Sequence, residues 1–435
     1  MNDKKLLLIT YYWPPSGGAG VQRWLKLSDY LIQLGWEVHV VTVDDAQASY
    51  PIADHTLLKE VNTKAKVHRT KTFEILNFYK KINNKKQIPY AGFANEGKTG
   101  LMQHISRFIR GNFFIPDARV GWNKYAAKKA CDIIEKENIK LIVTTSPPHS
   151  TQLVGLLLKQ KYNIKWVADL RDPWTDIYYY HKMNHTSIAK KIDSDYERNV
   201  IEKADEILVV SDFIKQQFAK KTQQNVANKI TVLPNGFDEK NFPLIADNKN
   251  RTKQFTVSYN GTIASNYATD AFVNALKQLI AKEGKVHFAI QFTGSIDAST
   301  KQKLQQAFDE CIHFKSHVSH LESIEILKQS DLLFLSIPNV KDNEGVLTGK
   351  LFEYLASQKP ILCVGPPQGD AAKIIDSCEG GVTVNNDDTQ LAFTFIEKQF
   401  EQWKNTGSTT LQSKKYLQYA RKSQAQQLQE ILLKQ

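Results

Sequence analysis

Residues 345–365, GVLTGKLFEYLASQKPILCVG, give the clearest indication of the fold class in this sequence. After its glycine-rich turn, apolar residues recur at helical spacing, at Leu351, Phe352, Tyr354 and Leu355. The short apolar run at residues 361–364 is typical of a strand buried in a parallel sheet. A loop, a helix and a return strand in this order predict one αβ unit of a doubly wound sheet.

The start of the predicted helix carries groups suited to a phosphorylated ligand. Backbone N–H groups near Thr348 and Gly349 can face an anion at a helix N-terminus. Lys350 adds a full positive charge there, and Glu353, about one turn further along, can accept hydrogen bonds from a sugar diol. The alternative is an ordinary αβ unit that exposes a lysine and a glutamate at its surface.

The length and composition are those of a soluble globular protein with room for two domains. Of 435 residues, 42% are hydrophobic and 23% are charged, and no run approaches the ~18 apolar residues of a membrane helix. The short apolar run within residues 1–15 predicts a first strand rather than a signal peptide. Four cysteines lie far apart without a CxxC pair, which predicts free thiols in a reducing cytoplasm: Cys131, Cys311, Cys363 and Cys378.

The basic balance of the chain bears on its partners. The sequence has 57 basic and 45 acidic residues, a formal net charge of +12, which suits nucleic acid, an anionic membrane face or anionic substrates. No RNA-binding motif accompanies the scattered lysines, so we expect no nucleic-acid partner. Residues 80–97 are polar, basic and typical of a loop. Residues 104–114 form a basic amphipathic piece that suits contact with an anionic membrane surface, the alternative being a packed helix with a solvated face.

The chain opens with a predicted strand, helix and strand, at residues 5–10, 21–34 and 38–43. This βαβ order indicates a doubly wound sheet. The first connecting loop contains Gly17 and Gly18, which let the backbone approach a ligand. A dinucleotide fingerprint needs a third glycine where Arg23 stands, so an NAD site is disfavoured. A tight turn without a ligand is the alternative for this loop.

Two neighbouring predicted strands end in polar residues. Residues 141–145 run into SPPHS, which contains His149, and residues 166–170 run into a segment with Arg171 and Asp172. In an open α/β sheet, ligand groups collect at the carboxyl ends of the strands. We therefore predict His149, Arg171 and Asp172 as catalytic residues, the alternative being that the lone histidine is structural.

An Asp-x-Asp pair, Asp193 and Asp195, could hold a metal ion if it lay on a loop. It falls within a predicted helix at residues 188–203, where positions i and i+2 face apart. The sequence therefore predicts a charged helix surface at this place and no metal site.

Four segments together resemble glycosyltransferase family 4, a family of retaining enzymes with the GT-B fold. They are TSPPHS around His149, IPDARVGW at residues 115–122, ADLRDPW around Arg171, and TGKLFEYLA at residues 348–356. The resemblance is closest to a bacterial branch and covers nearly all of the chain, least well over residues 44–110. It implies an α/β protein of the GT-B type, with two Rossmann-like doubly wound domains that face a cleft.

The resemblance also implies domain bounds. An N-terminal, acceptor-side Rossmann-like domain spans residues 1–238 in this interpretation, and a polar linker follows at 239–253. The Rossmann-like domain that binds the nucleotide-sugar spans 254–405. A C-terminal helix within 406–435, placed at 411–433 by its periodicity, is expected to cross back to the first domain.

The site residues implied by the resemblance lie in both halves of the sequence. Glu353 matches a glutamate that holds the ribose of the nucleotide, and His149 matches a histidine that faces the donor sugar. The donor-binding residues predicted in full are Gly17, Gly18, Gly261, Thr262, Val318, His320, Thr348, Gly349, Lys350 and Glu353.

Two departures from the family pattern affect this donor site. Gly345 stands where the first of two glutamates belongs, and Glu344 lies one place early. Thr262 and Ala268 stand near the places of an arginine and a lysine that bind the diphosphate in the family. Lys350 and backbone amides are therefore left to bind the diphosphate.

The predicted activity is transfer of a sugar from a nucleotide-sugar donor to a cell-envelope polysaccharide or lipid-linked acceptor, with retention at the anomeric carbon. No protein nucleophile is identified, so front-face substitution assisted by the leaving phosphate is expected, without a metal or cofactor. We expect a cytoplasmic protein, peripheral on the inner face of the membrane. The alternatives are a nucleotide-sugar epimerase of the same fold and a non-catalytic binding protein with a decayed donor site.

Overall fold

Two separate parallel sheets form the framework of the protein, in a computed structural model that describes residues 4–73, 101–242 and 253–434. The chain folds into two compact units, one made of Met1–Pro234 with Gln424–Gln435 and the other of Asn235–Ser423. The predicted basic loop at 80–97 and residues 243–252 of the predicted linker lie outside the described residues.

The first unit is built on a seven-stranded parallel sheet. Its strands are β1 Lys5–Ile9, β2 Glu37–Val43, β3 Lys66–Thr70, β4 Leu141–Ser146, β5 Lys165–Leu170, β6 Glu206–Val209 and β7 Ile230–Val232. They lie in the order β3-β2-β1-β4-β5-β6-β7, and Leu7 of β1 pairs with His39 on one side and Ile142 on the other. The order reverses between β1 and β4, which is the arrangement of a doubly wound sheet.

The second unit repeats this topology in a six-stranded parallel sheet. Its strands are β8 Phe255–Asn260, β9 Phe288–Thr293, β10 Ile312–Lys315, β11 Leu332–Ser336, β12 Ile361–Val364 and β13 Gly381–Val384. Their order is β10-β9-β8-β11-β12-β13, so the reversal falls between β8 and β11. The predicted α/β class with two Rossmann-like doubly wound domains is confirmed.

Helices cover both faces of each sheet in the described part of the chain. Those of the first unit are α1 Ala19–Gln33, α2 Leu101–Phe113, α3 Asn123–Glu137, α4 Ser150–Lys161, α5 Ser187–Lys203 and α6 Asp212–Ala219. Those of the second are α7 Asp270–Glu283, α8 Ala298–Phe308, α9 His320–Gln329, α10 Gly349–Ala356, α11 Asp370–Ser377 and α12 Thr389–Thr406. The last helix, α13, is Arg421–Leu433. Among the described helices, none has the length and apolar character needed to span a membrane.

Alternate residues of each central strand enter different cores. In β1, Leu7 and Ile9 belong to the apolar cluster that α3 and α4 cover, whereas Leu6 and Leu8 belong to the cluster that α1 and α13 cover. All four side chains are fully buried. Burial on both faces explains why the strand is a continuous apolar run in the sequence. The four cysteines are free thiols, as predicted.

The C-terminal helix begins at Arg421, whereas the predicted helix began at residue 411. The predicted start is therefore wrong. A 3₁₀ turn at Lys415–Tyr419 precedes α13. The backbone N–H of Phe237 donates to the Tyr419 carbonyl at 3.2 Å, and the Arg421 N–H donates to the Phe237 carbonyl at 2.9 Å. These backbone groups are bonded to Phe237, so they cannot form the i to i+4 bonds of a continuous helix.

Candidate functional site

Each sheet has one point at which the strand order reverses, and the loops there carry most of the predicted site residues. In the first sheet, the carboxyl ends of β1 and β4 lead to the glycine loop and to His149. In the second, the carboxyl ends of β8 and β11 lead to Gly261 and to the segment before α10. Ligands of open α/β sheets bind outside such points. Each unit therefore offers one candidate position.

His149 lies half-buried between β4 and α4, against an aromatic ring. Its imidazole stacks on the indole of Trp174, with ring centroids 4.8 Å apart and planes 17° from parallel. Its Nδ1 atom is buried without a hydrogen-bond partner among the described residues. Burial, and then the charge of Arg171, lowers the pKa of His149 to about 3. The imidazole is therefore neutral at neutral pH. In this state one ring nitrogen can donate a hydrogen bond to a ligand and the other can accept one.

Asp117 fixes the start of the helix that follows His149. Its carboxylate accepts hydrogen bonds from the backbone N–H and the hydroxyl of Ser150, each at 2.8 Å. It also accepts from the backbone N–H of Arg119 at 2.9 Å. A carboxylate placed at a helix N-terminus satisfies its free N–H groups and complements the helix dipole. The segments IPDARVGW and TSPPHS therefore meet at this helix start.

Arg171 ties the segment ADLRDPW to the same loop. Its Nε donates to the backbone carbonyl of Ser146 at 2.8 Å. Its guanidinium lies so close to Gly20 that a Cβ there would be 2.6 Å from Nη1. Burial lowers the pKa of Arg171, and burial raises the pKa of Asp172 against the opposing effect of Arg171. Arg171 and Asp172 thus follow β5 beside the loop of His149, and their catalytic roles stay predictions.

The glycine loop precedes α1 at the carboxyl end of β1. The backbone N–H of Gly17 donates to the Ile52 carbonyl at 3.0 Å. Gly18 has a φ of 100°, a conformation that favours glycine, and it lies exposed immediately before the helix. These two residues therefore lie at the N-terminus of α1, which no side chain of the described residues caps, and where backbone N–H groups can face an anion.

A buried ion pair lies beside these loops in the core of the first unit. It was not predicted from the sequence. Arg23 and Asp169 are both fully buried, with Nη2 and Oδ1 3.0 Å apart. Asp169 also accepts hydrogen bonds from the Trp24 indole at 2.6 Å and the Thr145 hydroxyl at 2.8 Å. Arg23 donates further to the carbonyl of Pro234 at 2.9 Å. The residue that breaks the dinucleotide fingerprint thus has a structural role.

Asp193 is not the surface residue that the sequence predicted. It is 1% exposed, whereas Asp195 on the same helix is an ion-pair partner of Arg198 and Lys191 at the surface. Asp193 accepts hydrogen bonds from the Trp174 indole at 2.8 Å and from the Tyr180 hydroxyl at 2.9 Å. The prediction that the two carboxylates face apart holds, but the prediction of a charged surface is wrong for Asp193 because its side of α5 packs against residues 174–180.

Lys350 lies in the first turn of α10 in the second unit, and its ammonium contacts an aromatic ring. The Nζ atom donates to the Tyr259 hydroxyl at 2.6 Å and lies 4.3 Å from the ring centroid. Burial lowers the pKa of Lys350 to about 7. Gly261, with a φ of 126°, leaves room for this side chain, since a Cβ there would lie 2.8 Å from Nζ. The predicted diphosphate lysine and the Gly261 loop are therefore in contact.

Glu353 lies one turn further along α10, next to His320. Its Oε1 is 3.4 Å from the His320 Nε2, and the two side chains are 29% and 48% exposed. Burial raises the pKa of Glu353, while His320 and then Arg421 act to lower it. The carboxylate is thus partly open to solvent and lies beside the lysine that starts the same helix.

Two polar atoms close to these residues are buried and lack a partner in the described part of the chain. They are Oδ1 of Asn260, which ends β8, and Oγ1 of Thr348, which immediately precedes α10. The great majority of buried polar atoms in proteins have a partner. These two atoms therefore mark places where hydroxyl or N–H groups of a ligand can complete the hydrogen bonding.

The remaining predicted donor residues differ in exposure. Val318 is half-buried and Thr262 is exposed, with its backbone carbonyl accepting from the Tyr259 hydroxyl at 2.7 Å. Gly345 is buried at the end of a 3₁₀ turn, Asn343–Gly345, whereas Glu344 is exposed. Glu344 therefore does not replace the missing first glutamate by occupying the same buried place.

One group of described residues has ligand atoms close enough together for a cation. It consists of Glu37, His39 and Glu137, whose ligand atoms all lie within 4.8 Å of one another. Lys66 already donates to Glu37, and His39 Nε2 lies 2.9 Å from the same carboxylate. His68 adds a contact of 3.3 Å to the other nitrogen of His39. Because Glu37 and His39 already have partners in the protein, we assign no metal to this group.

Several solved structures are similar in fold to this chain. HepE of Anabaena in complex with UDP is similar with a TM-score of 0.61 at 13% identity, over 98% of this chain and 99% of that chain. The N-terminal domain of trehalose-6-phosphate phosphatase of Candida albicans gives 0.63 at 12%, over 99% and 96%. The lipopolysaccharide outer core galactosyltransferase WaaB gives 0.57 at 10%, over 98% and 99%. Among curated protein sequences, none matches this chain.

The two doubly wound units and the likeness to these structures show the GT-B fold. The family described as Glycosyltransferase Family 4 matches residues 17–241, which is more than half of the chain, and the chain belongs to this family. The predicted family and enzyme class are confirmed. The matched range includes the glycine loop, His149 and Arg171.

Proposed function

We propose that this protein is a retaining glycosyltransferase that moves a sugar from a nucleotide-sugar to a cell-envelope polysaccharide or lipid-linked acceptor. One observation carries the proposal: Lys350 and Glu353, one helical turn apart, lie with Gly261 at the reversal point of the second sheet. A lysine at a helix N-terminus suits a diphosphate, and a carboxylate one turn further suits a ribose diol.

Family membership supports a sugar transfer, and a neighbour supports the kind of donor. HepE has been solved with UDP and with UDP-glucose. Its likeness to this chain is one of fold, so the uridine base and the glucose remain part of the proposal here. The buried, unpartnered Asn260 Oδ1 and Thr348 Oγ1 favour a polar ligand at the same place.

The proposed chemistry is a front-face substitution. The bond from the anomeric carbon to the donor phosphate breaks, the bond to the acceptor oxygen forms on the same face, and the acceptor proton passes to the departing phosphate. Lys350 and the backbone N–H groups at the start of α10 stabilise the negative charge of the diphosphate. His149, neutral because of its low pKa, exchanges a hydrogen bond with a sugar hydroxyl.

The hydrogen bonds of three carboxyl groups near His149 favour this route over a covalent intermediate formed on any of the three. Asp117 and Asp169 each accept several hydrogen bonds from the protein, and both oxygens of Asp193 are occupied by Trp174 and Tyr180. A nucleophilic carboxylate would have to leave such partners to attack the anomeric carbon. The leaving phosphate needs no such rearrangement.

A lipid-linked acceptor places the enzyme at a membrane, and the surface of α2 supports this part of the proposal. Phe108, Ile109 and Phe113 on this helix are large and exposed, and Arg107 and Arg110 lie on the same helix. Asn112 anchors the helix to the first unit by hydrogen bonds with residues 184 and 186. Apolar side chains interleaved with basic ones suit insertion into the interface of an anionic bilayer.

A donor panel tests the proposed function. Nucleotide binding is measured by calorimetry with UDP, GDP and their sugars, and the anomeric configuration of the product is read by NMR. We expect binding of one nucleotide class and a product with the anomeric configuration of the donor. A changed sugar released from donor alone indicates an epimerase, binding of no nucleotide indicates a decayed donor site, and an inverted product contradicts the retaining mechanism.

The membrane contact has its own test, sedimentation with vesicles of phosphatidylglycerol and phosphatidylcholine at low and high salt. Phe113→Ser should weaken binding, because Phe113 is 72% exposed on α2. Val286→Ser is the matched control, since Val286 is 73% exposed in the second unit. Equal binding of both variants, or binding that is indifferent to salt, contradicts this placement of the membrane.

A further inference from the structure

The ring on which His149 stacks is itself held by a buried carboxyl group. The indole N–H of Trp174 donates to Oδ1 of Asp193 at 2.8 Å, and the Tyr180 hydroxyl donates to Oδ2 at 2.9 Å. Trp174 is 2% exposed and Asp193 is 1% exposed. Because the indole has a single N–H donor, this bond fixes how the ring is turned within its own plane.

The imidazole of His149 depends on that ring for its orientation. Its Nδ1 has no hydrogen-bond partner among the described residues, so no bond at this atom orients the ring. The stacking with Trp174, at 4.8 Å and 17°, is the contact that defines the plane of the imidazole. We propose that Asp193 is a positioning residue for His149, acting through the indole of Trp174. The proposal deepens the proposed function and rests on it, since it assumes that His149 contacts the donor sugar.

A second carboxylate on the same face of α5 holds the neighbouring residue. Glu197 accepts from the Thr175 backbone N–H at 3.2 Å and from its hydroxyl at 2.6 Å, and Lys221 lies 3.1 Å from the same carboxylate. Asp193 and Glu197, four positions apart, therefore clamp residues 174 and 175 to the helix. The clamp brings the DPW end of ADLRDPW against α5.

The chemistry of Asp193 supports a role beyond packing. Burial raises its pKa to about 7, even though the hydrogen bonds from Trp174 and Tyr180 act to lower it. An apolar side chain of similar size would fill this place without the desolvation penalty of a carboxyl group. What the carboxyl group adds is an acceptor for the indole N–H, and that acceptor sets the position of the ring.

The test compares Asp193→Leu, which removes the acceptor, with Asp193→Asn, which keeps one acceptor oxygen at similar volume. Asp195→Leu is the control, because Asp195 is on the same helix and at the surface. The readouts are kcat and KM for sugar transfer and the ring resonances of the histidines by NMR, where His149 is assigned among 11 histidines through His149→Ala. If Asp193→Leu does not fold, Trp174→Phe, which keeps a ring without the N–H, replaces it.

We expect Asp193→Leu to shift the His149 resonances and to raise its pKa from about 3 towards the ordinary range, because the indole no longer covers the imidazole. The value of kcat should fall about tenfold or more with a smaller change in KM, since misplacement of a catalytic group acts on the transition state. Asp193→Asn should keep most of the kcat that Asp193→Leu loses. In the His149→Ala background, Asp193→Leu should have no further effect on kcat.

Unchanged His149 resonances in Asp193→Leu, or an equal loss of kcat with and without His149, would overturn the positioning role. Turnover that survives in His149→Ala alone is a different result. It removes His149 from the proposed mechanism, and the NMR comparison then still decides whether Asp193 holds the stacked pair in place.

Discussion

The two reversal points share one topology and differ in how their polar groups are satisfied. In the first unit, Asp117 and Asp169 are bonded to backbone, hydroxyl and indole donors, and His149 presents one buried unpartnered nitrogen. In the second, Asn260 and Thr348 each keep an unpartnered buried oxygen beside Lys350. The same strand order therefore places hydrogen-bonded carboxylates near one imidazole in the first unit, and unpartnered buried oxygens near one ammonium in the second.

This difference indicates which substitutions should affect turnover and which should affect ligand binding. A catalytic side chain that is positioned by hydrogen-bonded neighbours contributes through its orientation towards the substrate. Its removal should therefore lower turnover more than it weakens binding. A site with unpartnered polar atoms gains hydrogen bonds when a ligand enters, so substitutions there should affect binding first. Single substitutions in each unit can test whether turnover depends mainly on the first unit and nucleotide binding on the second.

The largest effect is expected for His149→Ala. Turnover should fall by ~10²-fold or more, the range for one positioned catalytic group. Binding of bare UDP, which we assign to the second unit, should be unchanged by calorimetry. The matched control is His68→Ala, since His68 is also half-buried and stacked, on His39 at 5.4 Å, at the edge strand β3. Loss of UDP binding in His149→Ala would contradict the division of roles.

Glu353→Gln should weaken nucleotide binding by roughly 1–3 kcal/mol, because the substitution removes the charge from the acceptor of the ribose hydrogen bonds. Glu344→Gln is the control, since Glu344 is exposed in the turn that precedes α10. Both variants are titrated with UDP in a calorimeter. Equal affinity in Glu353→Gln and the unmodified protein would remove Glu353 from the site.

Lys350 should give nucleotide binding a pH dependence. Burial lowers its pKa to about 7, so the ammonium is charged below this value and neutral above it. A bound diphosphate favours the charged form, and affinity should therefore fall as the pH rises above 7, by at most about tenfold per pH unit. Titrations with UDP-glucose, whose two phosphates have no group that titrates in this range, isolate the lysine.

The variant Lys350→Met supplies the control for that titration. Without the amine, the affinity should be weaker at pH 6 and should change little between pH 6 and pH 8.5. A pH dependence that persists in Lys350→Met would assign the titrating group to another residue.

The smallest effect is expected for the loss of a helix cap. Asp117→Ala should lower the free energy of unfolding by about 0.5–2 kcal/mol, since it leaves the start of α4 without its acceptor. Asp297→Ala should have a similar effect, because Asp297 caps α8 by accepting from Ser299 and Thr300. Only Asp117→Ala should also lower turnover, since α4 follows His149 directly. Equal turnover in both variants would show that the Asp117 cap does not affect the position of the His149 imidazole.

The sequence predicted the framework because buried parallel strands are continuous apolar runs. The strand after which His149 lies was predicted at 141–145 and spans Leu141–Ser146, and topology then brought its loop to the reversal point. The short edge strands β10 and β13 and the helices α8 and α11 were assigned no element. They have 4 to 11 residues and are only partly apolar, so their periodicity is weak.

The supporting contacts of the site could not be predicted because they join residues far apart in the chain. Asp117 caps a helix that begins 33 positions later, and the acceptor of the Trp174 indole lies 19 positions away. Helical spacing showed that Asp193 and Asp195 face apart, but which of them faces the core depends on what packs there. The sequence shows which residue types are present, but their hydrogen-bond partners are determined by the tertiary fold.

The last helix has a consequence for synthesis of the chain. Ala425, Leu428 and Ile431 of α13 belong to the same apolar core as Leu6 and Leu8 of the first strand. Gln429 accepts hydrogen bonds from both Lys4 and Trp36. The first strand and α13 leave the ribosome hundreds of residues apart, so the nascent first unit cannot complete this core until α13 has been synthesised. The first unit therefore depends for its assembly on residues 424–435 as well as on its own first 234 residues.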